Sequence, residues 1–273
     1  MNFLSRIAGS ALLGTAAIFV FPAGLSPLRS NECKDNCQTE KLVISGVISR
    51  VTYEKVVNYV KKNPGENLRV KISSAGGDAR YAILIGDVLF KRNTFLEIYG
   101  ICHSACAQYI LPSARLVSVM TNASVAFHSS PSDLYVPIDS SWEERRDLNA
   151  FSEIESAFYK ARGIDPVWLM ALRQQLEPIC FLRDRSNARV GLQNYAVAYN
   201  YAVVVPSRKV LMALRLPAPQ GYWPSGQHEV DRDAKLAGFS PSFRLKFVDR
   251  IPPNTKLGTK TLPECADISN QKK

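Results

Sequence analysis

Lys71-Ile72-Ser73-Ser74-Ala75-Gly76-Gly77-Asp78 is the stretch on which the reading turns. It is a short apolar run that ends in a double glycine and an acidic helix cap. Two further stretches follow it in order. Gly100-Ile101-Cys102-His103-Ser104-Ala105-Cys106 sets a serine among small residues, and Ala126-Phe127-His128-Ser129-Ser130-Pro131 carries a histidine. Each follows a β-branched run that reads as a strand. A glycine turn, a serine and a histidine, each at a strand end, is the order that a serine hydrolase on an α/β spiral needs.

Outward from these stretches the pattern alternates. Leu42 to Ile48 reads as a buried strand, and Thr52 can cap the helix after it, which Asn63-Pro64-Gly65 ends. Leu68 to Ile72 is a second strand. Asp78 can cap a helix with Ala82, Ile83, Ile85, Gly86, Val88 and Leu89 as its buried stripe. Phe95 to Tyr99 is a third strand, broken by Gly100, and Ser104 to Leu111 a helix stopped by Pro112. Leu116 to Met120 and Ser124 to Phe127 are further strands. Strands alternating with helices predict an α/β fold with a mostly parallel sheet. In such sheets reactive groups gather at the carboxyl ends of the strands. Trp142 to Arg162 reads as a long helix, Asp165-Pro166 starts another, and Val190 to Pro206, with the apolar run Tyr201 to Val205, marks a last strand. Beyond Ser207 prolines and charges arrive without a period, which predicts an irregular extension over 207–273.

The chemistry follows from residue types. A serine hydroxyl needs a base to take its proton, and the chain has three histidines, His103, His128 and His228. Neighbouring side chains diverge on a strand or helix, so His103 is a poor base for Ser104. His228 lies in the Pro-rich tail. His128 ends a strand that a parallel sheet would set beside Ser104. Backbone N–H groups at Gly76-Gly77 and at Ala105 suit a developing oxyanion.

The net charge of +10 is scattered and predicts a solvated basic surface with no nucleic-acid partner. Arg6 followed by the apolar run Ile7 to Leu25 resembles a secretory signal, or an anchor long enough to span a bilayer, over 1–29. A polar linker over 30–40 follows, and the catalytic domain would cover 41–206. Either reading of the leader sends the chain to the periplasm or outside the cell, secreted or anchored to the inner membrane. Six cysteines then suggest disulfides. Cys33/Cys37 and Cys102/Cys106 are local pairs, and Cys180/Cys265 would tie the tail to the core. Zinc is the competing reading of the two local pairs.

Residues Leu42 to Pro131 resemble the proteolytic subunit of the caseinolytic (Clp) protease, within the crotonase-like superfamily. The likeness lies in Ser74-Ala75-Gly76-Gly77 where that family has Ser-Pro-Gly-Gly, in Ile85-Gly86, in the turn Gly100 to Ser104, and in the strand ending at His128. Exported relatives with a Cys-x-Ser-Ala-Cys turn are the best match to Cys102–Cys106. The resemblance implies a serine peptidase with nucleophile Ser104, base His128, and oxyanion donors Gly77 and Ala105. For the third member it points to Glu177, with Asp184 as runner-up. It implies a polypeptide substrate, self-association, and no cofactor or metal. Ala75 departs from the family's proline, and no ATPase-docking signature is present. The alternative is an inactive relative kept as an envelope binding or scaffold protein. Crotonase-type thioester chemistry is disfavoured, because export separates the chain from coenzyme A.

Overall fold

The computed structural model describes residues 41–128, 130, 142–183, 195–251 and 265. They belong to the unit Thr39–Lys273. The expectations for the leader, the linker and Cys33/Cys37 lie outside the described residues. Among the described residues no helix is long and apolar enough to cross a membrane.

The α/β class with a mostly parallel sheet is what the chain forms. Strands β1 (Leu42–Ser45), β2 (Arg69–Ser74), β3 (Phe95–His103) and β4 (Leu116–Val119) lie side by side in sequence order, all parallel. Helices α1 (Arg50–Lys62) and α2 (Ala79–Phe90) make the first two crossovers. Strict alternation drives the sheet. Leu42, Ile44, Val70, Ile72, Leu96, Ile98, Val117 and Val119 are buried on one face and join Ala82, Ile83, Ile85 and Leu89 of α2 in one core. Asp78 caps α2 as expected, accepting from the N–H groups of Arg80 and Tyr81 at 2.8 and 3.4 Å. The cap of α1 is Ser49 rather than Thr52. Thr52 is instead its capping-box partner, one turn in.

β3 is the organising strand. β2 runs along one edge. The other edge pairs with β4 over Phe95–Ile98 and then with β5 (Ser124–Ala126) over Ile101–His103. Gly100 does not break β3, contrary to expectation. The Ile101 N–H finds the Ser73 Oγ at 3.2 Å where the ladder with β2 shifts register, so the strand continues to His103.

Helices α3 (Trp142–Lys160) and α4 (Pro166–Arg173) follow, the latter capped by Asp165. The apolar run near residue 200 is two strands, not one. β7 (Tyr195–Tyr199) pairs antiparallel with β6 (Pro178–Arg183), and β8 (Val203–Pro206) lies elsewhere. After Ser207 the chain carries more regular structure than its composition predicts. Helix α5 (Arg208–Ala213) is capped by Ser207, and β9 (Gln220–Gly221) adds to the central sheet beside β4. Helix α6 (Gln227–Leu236) leads to β10 (Leu245–Val248), which pairs parallel with β8. Val230 and Leu245 join Ala126, Val203 and Val205 in a small second core. Each of these elements buries at most two side chains, too few to leave a period in the sequence. The boundary expected at 207 is therefore not a break in the fold up to residue 251.

Candidate active site

β3 delivers Ser104. Its last residue, His103, is followed at once by Ser104 and by a π-helical turn over Cys106–Ile110. Ser104 has φ +56°, the left-handed region that costs a residue with a Cβ about 1 kcal/mol or more. Such a sharp strand-to-helix turn lifts a side chain out of the sheet edge. The Ser104 N–H is held by the Ala126 carbonyl of β5 at 3.1 Å. The Cys102–Cys106 disulfide, with Cα atoms 5.1 Å apart, closes the turn around it. A loop of about five residues closed in this way adds about 2 kcal/mol in the chain-entropy account. Replacing Cys102 and Cys106 by Ala should lower unfolding free energy by that order, measured by urea titration.

β5 delivers His128. Phe127 exchanges both main-chain hydrogen bonds with Val204 of β8, at 2.8 and 2.7 Å, which pins the strand end. The His128 Nε2 then lies 2.5 Å from the Ser104 Oγ, and both residues are half-buried. Ser104 and His128, twenty-four positions apart, thus meet at the carboxyl end of adjacent strands.

The glycine turn completes the rim. Ser74 Oγ donates to the Gly46 carbonyl at 2.6 Å and accepts the Gly76 N–H at 3.1 Å, fixing the turn without the proline. Gly76 lies against Ser104: a Cβ there would stand 2.5 Å from the Ser104 Cβ and 3.0 Å from the Ala105 nitrogen. Ile48 donates to Gly76 O and accepts from the Asp78 N–H, at 2.8 and 2.9 Å. In a parallel bridge of that pattern the N–H of the middle residue, Gly77, points to the opposite side, where β3 lies. A side chain at Gly77 would strike the Ile48 carbonyl oxygen, and its φ is +144°. The glycine turn therefore abuts both Ser104 and the Ala105 nitrogen.

His103 has a different occupation. It is 5% exposed, its Nε2 is 2.9 Å from the Ser124 Oγ, and its ring stacks on Phe239. Burial, and then the neighbouring His128, lower its pKa to about 4. The unfolded chain takes up its proton near 6.5, so this neutral imidazole stabilises the fold fully above that pH. The contribution is lost as pH falls from about 6.5 to about 4, a change of about 3 kcal/mol. His103→Gln should flatten the pH dependence of the thermal midpoint across that window.

Glu177 does not join the pair. It ends a turn in the left-handed conformation, φ +57°, and is exposed. Its two carboxylate oxygens accept from Lys246 Nζ at 2.5 Å and Asn200 Nδ2 at 3.1 Å. Those hydrogen bonds, Lys246 first, hold its carboxyl below the usual range. A carboxylate engaged at the surface in this way cannot orient the imidazole. The runner-up, Asp184, lies outside the described residues. Cys180 and Cys265 are bridged, with Cα atoms 5.0 Å apart.

Two features of the site escape a reading of motifs. Gln108, 2% exposed, donates from Nε2 to the His128 carbonyl oxygen. Below it, Glu155 and Arg173 form a buried ion pair at 3.0 Å, and Glu155 also accepts from Tyr109 and Ser130, each at 2.8 Å. Burial, reinforced by the Glu155 charge, drives the Tyr109 pKa well up. The signal available in the sequence was a lone amide inside the apolar run Ala105 to Leu111.

No family model matches the chain, and no curated protein matches it. Among solved structures it is similar to the crystal structure of the ClpP protease catalytic domain from Plasmodium falciparum. Identity is 18% and the TM-score 0.32, over 44% of this chain and 66% of that one. The matched part is just under two thirds of that structure's length. At that TM-score the likeness bears no weight, and the fold class rests on strand order and pairing.

Proposed function

We propose that the chain is a serine hydrolase that cleaves peptide bonds through an acyl-enzyme. The observation that carries the reading is the 2.5 Å approach of His128 Nε2 to the hydroxyl of a serine held at positive φ. Ser104 Oγ attacks the carbonyl carbon while His128 Nε2 takes the hydroxyl proton. The oxygen that becomes negative faces the N–H groups of Gly77 and Ala105. The imidazolium then passes its proton to the leaving amine, and the C–N bond breaks. Water, deprotonated by the same imidazole, releases the acid and restores Ser104.

The setting is part of the proposal. Disulfides at Cys102–Cys106 and Cys180–Cys265 support an oxidising compartment, periplasmic or secreted, with the leader as signal or inner-membrane anchor. The substrate is a polypeptide, and the enzyme associates with itself. The test is a fluorophosphonate probe, which phosphonylates a serine only when a base activates it. Labelling at neutral pH that maps to Ser104 is the expected result. A folded protein that stays unlabelled would leave the envelope scaffold reading in its place.

A further inference from the structure

Gln108 touches both halves of the pair. Its main-chain N–H donates to the Ser104 carbonyl at 2.9 Å, and its side-chain amide donates to the His128 carbonyl. A carbonyl oxygen only accepts, so the amide must present Nε2 there. Its main-chain carbonyl accepts from the Tyr159 hydroxyl at 3.0 Å. With the residue 2% exposed, water does not compete for these bonds. The turn that carries it is π-helical: Leu111 N–H reaches back to Cys106 O. Turns of this kind insert a residue and re-aim the side chains around it. The neighbouring side chain, Tyr109, reaches the same segment through Glu155 and Ser130.

From this arrangement, and resting on the hydrolase reading, we propose that Gln108 is a positioning residue. It clamps the backbone of the base to the turn of the nucleophile, and so helps to set the Ser104–His128 distance. It touches neither substrate nor the reacting atoms. Without it, residue 128 would keep its anchor at Phe127–Val204 but lose the tie that fixes the ring against Ser104.

The experiment measures that tie directly. The chain has three histidines, so imidazole proton signals can be followed by NMR and assigned with His128→Gln. Four proteins are titrated: the parent, Ser104→Ala, Gln108→Met and the double variant. Methionine has a similar volume and no donor. A hydroxyl donating to Nε2 favours the neutral ring, so Ser104→Ala should raise the His128 midpoint by about half a unit when Gln108 is present. In the Gln108→Met background the same change should move it by less than about 0.1 unit. Fluorophosphonate labelling of Gln108→Met should also be about tenfold slower or more. A purely structural Gln108 would lower the thermal midpoint and leave the Ser104–His128 coupling intact.

Equal coupling in both backgrounds overturns the clamp, even if the parent is labelled. Coupling that vanishes with Gln108→Met while the parent stays unlabelled upholds the clamp and removes the hydrolase reading. If the Met variant does not fold, Gln108→Asn, one methylene short of the carbonyl, carries the same comparison.

Discussion

Ser104→Ala should abolish hydrolysis of an unfolded polypeptide while leaving the fold almost untouched. The loss expected is on the order of 10⁴-fold or more in kcat, because the hydroxyl removed is the one that His128 Nε2 reaches. Stability should change little. Alanine has the same cost at φ +56° as serine, so only the hydrogen bond to His128 is lost, about 1 kcal/mol. Ser104→Gly sharpens the test. Glycine adopts that φ without strain, so the variant should be equally inactive yet more stable by about 1 kcal/mol than Ser104→Ala. Steady-state kinetics beside thermal unfolding checks both. Wild-type activity in Ser104→Ala would end the assignment of the nucleophile.

Gly76→Ala should remove activity and stability together. The added Cβ would stand 2.5 Å from the Ser104 Cβ and 2.7 Å from its Oγ, at a φ of +101° that alanine rarely adopts. Neither neighbour can yield cheaply. Ser104 is bound on one side by the Ala126 carbonyl and on the other by the bridged turn Cys102–Cys106. The expected cost is about 3 kcal/mol or more in unfolding free energy. What remains folded should have Ser104 displaced and kcat lower by about 10²-fold or more. Gly65→Ala is the control, with open space around its Cβ and no positive φ, and should change both by little. A Gly76→Ala protein as stable and active as the parent would mean that the glycine turn does not abut the nucleophile.

These two variants also mark where local reading suffices. A strand that buries every second residue writes its pattern within four to six positions, which is why β1 to β4 are legible. The serine and histidine could be paired because strand order in a parallel sheet follows from the crossovers, and the crossovers from the helices between. The segment after Ser207 failed the same reading. Its elements take their burial from distant partners: Trp223 donates to the Pro206 carbonyl, and Leu245 packs with Ala126.

The third carboxylate shows the limit at the site. Glu177 precedes a strand, as the family resemblance asks, but its direction follows from a left-handed turn and from Lys246, sixty-nine residues away. Order along the chain determined the parallel α/β sheet and the rim where Ser104 and His128 emerge, because burial periodicity and turn chemistry act over a few residues. The aim of the side chains at that rim was decided only on folding: the Gln108–His128 tie, the Phe127–Val204 bridge and the outward turn of Glu177 each join residues twenty or more apart. Hydrogen bonds across such separations leave no periodic trace, since their partners become neighbours only when the sheet has closed.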